Sequence, residues 1–377
     1  MKNDQDILKS EIIEALKSQG FLINPHLKTE TNEKDTKRRV HEQKRNEIIR
    51  LHKKFLLKNL EKIKRYSIDG GEIEPSKIDL ELVEVKPDSL ESTLFFWWNL
   101  IWWSLPYARP IGRQMRFILW DRCNDAPFGL ICLQSPPLRS SARDDFLGLN
   151  NKNVGYWINQ SMYAQRVGAL PPYNNLLGAK MVALSLTSNK VRETYERKYE
   201  HKETLLKKRI LPNRLLFITT TSAYGKSSIY ERITYKGDIV SQFIGFTAGS
   251  GTFHIPQTLY DKLLSFLKRE GFDVKRGYGT GPSRKLKLIN LAFRKLNVET
   301  FSFHNIKRGY YIFSNVCNLQ EVIQKNEVPQ WYDRPFEQLL DFWKKRWCIP
   351  RSRRTGSWKQ FDSSVYVDNV EDQLNLL

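Results

Sequence analysis

The sequence contains few residues of the kinds that build metal centres or disulfide frameworks. Its 377 residues include only four cysteines and six histidines. Cys123, Cys132, Cys317 and Cys348 form no Cys-x-x-Cys pair, which excludes a zinc ribbon and provides no disulfide framework for a chain of this length. The histidines are scattered, so we predict no metal site. Cysteines that stay reduced favour a cytoplasmic location.

Long apolar segments are also missing. The N-terminus lacks the apolar core of a signal peptide. The most apolar run, residues 94–105, contains four tryptophans, but it spans 12 residues and includes Asn99 and Ser104. A helix that crosses a bilayer needs about 20 residues. We therefore predict a buried helix here, and a soluble protein with no membrane partner.

Acidic residues are outnumbered: 61 lysines and arginines face 41 aspartates and glutamates, a formal net charge of +20. Such a surplus favours a polyanionic partner, DNA or RNA in the first place. Residues 34–65 alone carry 13 basic and 4 acidic side chains, while Ile49, Leu56, Leu60 and Ile63 share one helical face. The pattern predicts a helix that packs by its apolar face. Its charged face could equally be solvated or follow phosphates.

Apolar periodicity divides the chain into four regions. We expect a basic helical region (1–69), a connector with the tryptophan-rich helix (70–111), a sheet-centred core (112–256) and a basic helical region (257–377). Strands are predicted at residues 78–85, 115–120, 128–133, 154–158, 215–221, 229–235 and 239–246, and a loop at 140–155. Helices, then strands with one long crossover helix, then helices predict an α+β fold with a mixed sheet.

The crossover helix lies in residues 162–198. Pro171 and Pro172 impose a turn, after which Asn174 or Asn175 could cap a helix that is apolar nearly all round. Gly178 suits close approach of another backbone or a ligand, and Lys180 follows it. The segment is either a core helix with a tight preceding turn, or a helix N-terminus offered to an anion such as a phosphate.

A polar segment follows the predicted strand at 215–221. Its Gly225-Lys226-Ser227 is typical of the end of a phosphate-binding loop, but Thr220 stands where that loop requires glycine, so a nucleotide-hydrolysing loop is improbable. The polar side chains could line a cleft or belong to a solvated loop.

Other residues allow two interpretations. Arg143 and Asp144 could pair internally as easily as serve a metal site. His254, in a glycine-rich loop, and His304 could act as general bases, but no nucleophile accompanies them, which favours structural roles. Catalytic residues and cofactors stay unassigned. The candidate cleft or ligand-binding residues are Arg143, Asp144, Asn174, Asn175, Gly178, Lys180, Ser222, Lys226, Ser227, Ser228, Tyr230, Arg232 and His254.

The C-terminal region interleaves tryptophans with basic residues, a combination that suits phosphate contact plus base stacking. The alternative is a helix whose tryptophans pack inward while its charges face water. A second glycine-rich segment, residues 277–285, is basic at its end. The candidate nucleic-acid-binding residues are Arg38, Arg39, Lys53, Lys54, Arg284, Lys285, Lys344, Lys345, Arg346, Arg351 and Arg353.

One short motif suggests a topology. Gln165-Arg-Val-Gly168-Ala-Leu170 partly resembles the turn that holds the coenzyme A pyrophosphate in Gcn5-related acetyltransferases, although Leu170 departs from its last position. The resemblance covers at most residues 112–260. It implies an acyltransferase-like strand order, and as an alternative function an enzyme acting on a nucleotide-like or coenzyme A-like ligand.

Longer motifs resemble the DruA family of the Druantia anti-phage systems. They are Gly112-Arg-Gln-Met-Arg-Phe117, Ser141-Ala-Arg-Asp144, Leu170-Pro-Pro-Tyr-Asn-Asn-Leu-Leu-Gly-Ala-Lys180, Thr219-Thr-Thr-Ser-Ala-Tyr-Gly-Lys-Ser-Ser-Ile-Tyr230 and Gly279-Thr-Gly-Pro282. The sequence departs from the family at residues 146–149, where Phe-Leu-Gly-Leu replaces Trp-Ile-Gly-Trp.

The resemblance implies a bacterial defence component encoded with partners, including a large helicase-like protein, and it implies no catalytic residues. We therefore expect a cytoplasmic anti-phage protein that binds nucleic acid or a nucleic-acid-processing partner. The alternatives are the acyltransferase-like enzyme and a non-catalytic assembly protein.

Overall fold

The computed structural model describes residues 4–23, 26–29, 34–204, 208–275 and 284–377. Residues 277–283 of the glycine-rich segment, which include the motif at 279–282, lie outside these ranges.

The described chain contains eleven strands. In chain order they are β1 (Phe21–Ile23), β2 (Leu27–Thr29), β3 (Leu80–Glu84), β4 (Gln114–Asp121), β5 (Ala126–Gln134), β6 (Ser161–Ala169), β7 (Phe217–Thr221), β8 (Thr234–Tyr235), β9 (Asp238–Ile239), β10 (Ser241–Phe246) and β11 (Gly309–Ser314).

Helices flank and connect these strands. They are α1 (Asp4–Ser18), α2 (Lys34–Lys58), α3 (Leu60–Arg65), α4 (Leu90–Ile101), α5 (Ser141–Leu147), α6 (Val154–Trp157), α7 (Gly178–Ser185), α8 (Asn189–Tyr199), α9 (Gln257–Arg269), α10 (Arg284–Lys295), α11 (Leu319–Lys325), α12 (Phe336–Trp343), α13 (Ile349–Arg354) and α14 (Ser363–Leu376). None of the helices in the described ranges is long and apolar enough to cross a membrane.

Seven strands form one mixed sheet in the order β10-β11-β7-β6-β5-β4-β3. Neighbouring strands are antiparallel except β6 and β7, which run parallel and are joined by the crossover through α7 and α8. The α+β prediction with a mixed sheet is confirmed. The sheet takes strands from residues 80–84 and 309–314, so it extends on both sides of the 112–256 range expected for the core.

Side-chain alternation places the two faces of the sheet in different cores. Phe117 and Ile131 pack with α7 and α12, whereas Ile118 and Leu130 pack with α2, α4 and α14. This follows from the two-residue period of a strand, which sends neighbouring side chains to opposite faces. The buried tryptophan-rich helix is therefore confirmed as α4, which covers the second face.

Several predicted elements were wrong. Residues 140–155 are mainly helical rather than a loop, and 154–158 form a helical turn rather than a strand. Residues 229–235 are mostly turn, with only the two-residue strand β8. Strands β6 and β11, which flank β7 in the sheet, were not predicted. Small and polar residues in β6 and a short tyrosine-rich run in β11 obscure their apolar pattern.

A separate apolar core holds together α1, β1, β2, α9 and α10, which we call the helical lobe. Leu16, Phe21, Leu263 and Phe293 are buried in it. Val40 of α2 also belongs to this core, while Ile49 and Leu56 of the same helix pack against the sheet side. Helix α2 therefore connects the lobe to the sheet.

Candidate nucleic-acid interface

The parallel strands β6 and β7 separate toward their carboxyl ends. Their pairing ends at Ala164 and Thr220. On its other side, β6 pairs Ala164 with Leu133 and Arg166 with Cys132, which leaves Gln165 as an extra residue, a β-bulge. A bulge bends its strand and increases the local twist. Beyond it β6 follows β5 while β7 follows β11, so a gap opens at the carboxyl ends of the parallel pair, where open sheets commonly bind ligands.

A cleft of about 370 Å³ lies beside this gap. Its walls come from the ends of β6 and β7, the turn before α7, the segment after α4 and the start of α2. Seven of the predicted candidates line it: Asn174, Lys180, Ser222, Lys226, Ser227, Ser228 and Tyr230. The sequence placed these residues in two separate segments, and the fold brings them together.

Four basic residues line the cleft: Lys34, Arg38, Lys180 and Lys226. No lining residue among the described positions is acidic. Arg38 pairs with Asp35 at 2.8 Å and Lys226 pairs with Glu231 at 3.8 Å, and neither acidic residue lines the cleft. Because the side chains of both pairs are solvent-exposed, the pairs offset little of the positive charge. The cleft therefore favours a negatively charged group.

Aromatic side chains form another wall of the cleft. The rings of Trp102 and Trp103 lie 5.2 Å apart, just past the end of α4. Gly168 of β6 lies so close that a Cβ there would stand 2.7 Å from Trp102. Arg166 lies over Trp103, and its Nε donates to Asn99 at 2.8 Å. The pair is thus fixed in place, and the exposed part of its indole surface can stack a nucleobase.

The segment after β7 is held by its own polar groups. The Ser222 N–H donates to the Gly309 carbonyl at 2.8 Å, and the Ser222 hydroxyl accepts from the Gly309 N–H at 2.9 Å. The Ser227 N–H donates to the Tyr311 hydroxyl at 2.8 Å. These bonds fix the wall of the cleft but commit Ser222 and Ser227 to structure. Ser228 is exposed at the rim, and Tyr230 is buried behind it.

Lys180 fastens this segment to α7. Its Nζ donates to the carbonyls of Ser228, Ile229 and Glu231 at 3.2 to 3.4 Å. Burial, and after it the charge of Arg232, lowers the pKa of Lys180. The ammonium group therefore contributes positive charge to the cleft wall while it holds the loop.

The turn before α7 differs from the predicted one. Residues Tyr173–Leu176 form a 3-10 turn, Leu177 adopts a left-handed conformation with φ of 58°, and α7 begins only at Gly178. Neither Asn174 nor Asn175 caps the helix, which corrects the prediction, because the 3-10 turn places both side chains before the true N-cap, Leu177. Asn174 lies at the cleft rim instead.

Gly178 is required by packing. A Cβ at this position would lie 2.7 Å from the Tyr173 carbonyl oxygen, 2.8 Å from Phe128 and 2.9 Å from Ala169. It does not line the cleft. The sequence allowed two explanations for this glycine, the close approach of another backbone or of a ligand. In the structure, protein atoms approach it closely.

Other predicted site residues lie elsewhere. Arg143 and Asp144 form a buried ion pair at 2.6 Å, and Arg143 also donates to the carbonyls of Pro137 and Leu138. Arg232 is exposed outside the cleft lining. No group of three or more potential ligands that could hold a metal ion occurs within the described ranges.

His254 lies in a cluster of three buried histidines beside the lobe. Its ring is 5.5 Å from that of His304, and Phe253 packs against His304 and His41 at 4.8 Å and 3.9 Å. Burial is the main cause that lowers the pKa of His41 to about 3, of His304 to about 3 and of His254 to about 4. The three rings are therefore neutral around pH 7. None of them lines the cleft.

The predicted nucleic-acid residues fall into several places. Arg38 lines the cleft, and Arg351 donates to the Asn175 carbonyl at 3.3 Å, next to the cleft rim. The others lie along α2, at the start of α10 or around α12 and α13: Arg39, Lys53, Lys54, Arg284, Lys285, Lys344, Lys345, Arg346 and Arg353. Lys345 pairs with Asp341 at 2.8 Å, and Lys344 donates to the Ser76 carbonyl.

The sequence did not identify Lys34, Trp102 and Trp103 as site residues. The tryptophans were assigned to the buried helix. Helix α4 in fact ends at Ile101, so they lie beyond it and are only partly buried. The nearby Pro106, which cannot sit inside a helix without breaking a backbone hydrogen bond, was the available signal.

Comparison with known proteins places the chain in a family. The family model described as Druantia protein DruA matches residues 31–325. A Druantia protein DruA of Escherichia coli (strain UMEA 4076-1) is 31% identical over 376 residues, covering 96% of this chain and 92% of that protein. The chain belongs to the DruA family.

The DruA match includes every residue that lines the cleft, from Lys34 to Tyr230. It also includes the whole of α10 and the histidine cluster, and it ends at the last residue of α11, before α12 begins. No solved structure matches the chain.

Proposed function

We propose that this DruA-family chain is a cytoplasmic component of an anti-phage defence system of the Druantia type, and that it binds nucleic acid through the cleft. In this role it works together with other proteins of the system, a helicase-like protein among them. The family membership supports the defence role, and the cleft supports the molecular activity.

The cleft lining is the observation that carries the proposal. Four basic side chains meet two tryptophans at the divergence of β6 and β7, without an acidic lining residue among the described positions. Phosphate contact plus base stacking is the usual basis for binding single-stranded nucleic acid. A volume of about 370 Å³ suits one nucleotide and excludes a duplex from the cleft itself.

Fluorescence anisotropy with a labelled single-stranded oligonucleotide tests this proposal. The double substitution Arg38→Gln/Lys226→Gln removes two cleft charges whose present partners are exposed. We expect binding to weaken about tenfold and the slope of log K against log salt to fall in magnitude by up to about 2. Lys17→Gln/Lys268→Gln, at exposed positions of α1 and α9 outside the cleft, makes the same change in net charge and is the control. Equal losses in both variants would refute a cleft-specific site.

A second candidate is an enzyme of acyltransferase-like topology that takes a coenzyme A-like or nucleotide-like ligand. Three features support it: a mixed sheet with one parallel pair, a bulge in β6 and a helix that follows the divergence. The Gln165 to Leu170 motif argues against this enzyme, because most of the motif lies in strand β6 and the Leu170 N–H already donates to the Phe128 carbonyl.

The two candidates differ in a melting experiment. If coenzyme A binds in the cleft, millimolar ligand should raise the melting temperature, because ligands that bind only the folded state stabilise it. The nucleic-acid proposal expects no shift with coenzyme A and a salt-sensitive shift with an oligonucleotide. Absence of both shifts would leave the non-catalytic assembly role.

A further inference from the structure

Helix α10 of the helical lobe presents an unusual basic face. Arg284, Lys287, Arg294 and Lys295 lie within one stripe of the helix, and all four side chains are exposed. The opposite stripe, with Ile289 and Phe293, is buried in the lobe core. The helix contains no acidic residue. It is therefore docked by its apolar face and exposes cations over about 18 Å of its length.

The exposed cations of α10 differ from those of the neighbouring helix α9. On α9, Lys262 pairs with Glu11 at 2.6 Å and Arg269 with Asp4 at 2.9 Å, so acidic residues of α1 partly neutralise them. None of the four α10 cations pairs with a carboxylate in the described part of the chain. The exposed face of α10 therefore carries positive charge that no carboxylate of the described chain offsets.

Helix α2 connects α10 with the cleft. Val40 of α2 is buried in the lobe core together with Ile289 and Phe293 of α10. Arg38, which lines the cleft, stands two residues before Val40 on the same helix, roughly 3 Å away along the helix axis. A nucleic acid on α10 would therefore pass close to the cleft.

We infer that α10 binds the phosphate backbone of a nucleic-acid duplex while the cleft holds an unpaired nucleotide from the same molecule. The preferred ligand is then a junction between double-stranded and single-stranded DNA. An exposed helix with cations on one side fits a duplex groove and its phosphates, whereas the cleft is too small for paired strands. This inference rests on the proposed function of the cleft and adds a second contact surface.

Anisotropy with three DNA probes tests the inference on the full-length protein: a blunt duplex, its isolated single strand, and the same duplex with a single-stranded overhang. Two linked contacts raise the apparent affinity because the second contact becomes intramolecular. We expect the overhang probe to bind at least about tenfold more tightly than either other probe. Equal affinity for the overhang probe and the single strand would overturn the inference.

The double substitution Lys287→Glu/Arg294→Glu isolates the α10 surface. Both side chains are exposed and make no ion pair within the described ranges, so the fold should tolerate the change. The variant should bind the overhang probe only as tightly as the single strand, while its affinity for the single strand stays within about twofold of the unmodified protein. The milder Lys287→Gln/Arg294→Gln should show a smaller loss in the same direction.

Lys17→Glu/Lys268→Glu is the matched control, since these exposed cations lie on α1 and α9 of the same lobe. The control should keep the preference for the overhang probe. Equal losses in control and α10 variant would overturn the inference, because they would indicate a bulk charge effect. The proposed function fails separately, if Arg38→Gln/Lys226→Gln leaves binding of the single strand unchanged.

Discussion

Individual residues fix the turn that closes one side of the cleft. The Tyr173 hydroxyl donates to the Asp121 carboxylate at 2.9 Å, and both side chains are fully buried. Asp121 also accepts from the N–H groups of Asp79 and Cys123. Burial, together with the adjacent negative charge of Asp121, raises the pKa of Tyr173, which stays protonated as a donor. The turn is thereby tied to the end of β4.

Tyr173→Phe should destabilise the protein without changing its surface. The change leaves a buried carboxylate with one donor fewer, and hydrogen bonds to charged groups contribute about 1.5 to 3 kcal/mol. We expect the free energy of unfolding in urea to fall by about 2 kcal/mol. Tyr199→Phe removes a bond to the Gln114 carbonyl from a half-buried site and serves as the control. A loss no greater than that of the control would contradict this account.

Gly178→Ala tests whether this glycine serves packing. The added methyl would meet the Tyr173 carbonyl, Phe128 and Ala169 at less than 3 Å, and overpacking of this kind costs about 1 to 3 kcal/mol. Gly356→Ala is a suitable control, since a methyl group added there would meet no atom within 4 Å. Thermal melting should separate the two variants. If Gly178→Ala melts with the unmodified protein, the tight packing around α7 is not required.

At the scale of elements, the sequence predicted the elements with strong local patterns. The strands β4, β5 and β7 and the helix α4 follow from uninterrupted apolar periodicity or strand-forming runs. Strand β6 was missed because its Ala164, Gly168 and Ala169 have little apolar bulk. It is buried by its neighbours rather than by its own side chains. Non-local pairing of this kind leaves no trace in a local window.

The cleft was predictable in its parts and not in its assembly. The polar segment at 222–230 and the turn at 171–180 stood out in the sequence, and the cleft now unites them. Their meeting depends on the parallel pairing of β6 with β7 and on the bulge at Gln165. The contribution of Lys34 and Arg38 depends on how α2 docks, which the helix's charge pattern could not determine.

At the scale of the whole molecule, the histidine cluster makes stability depend on pH. His41 comes from α2, His254 from the loop before α9 and His304 from the segment before β11. Their pKa values lie near 3 to 4 in the folded protein, below the value of 6.5 for an unperturbed ring. The unfolded chain therefore binds more protons below about pH 6.5, and the stability present above that pH is lost as the pH falls toward 4.

His41→Leu should reduce this acid sensitivity. Both ring nitrogens of His41 are buried without a partner among the described residues, so the substitution removes no hydrogen bond there. At pH 7.5 the free energy of unfolding should change by less than about 1 kcal/mol, whereas at pH 5 the variant should be the more stable protein. Urea unfolding at both pH values measures this. Identical pH dependence in the two proteins would exclude a contribution of His41.

The molecule combines a mixed sheet, whose parallel strands separate into a basic and aromatic cleft, with a helical lobe beside it. Ultraviolet cross-linking tests the central claim most directly. Single-stranded DNA that carries bromouracil would be irradiated with the full-length protein, and the attached peptides mapped by mass spectrometry. The account predicts cross-links at the cleft-lining Trp102 or Trp103, and their loss in Arg38→Gln/Lys226→Gln. Cross-links confined to residues outside the cleft, unaffected by that variant, would contradict it.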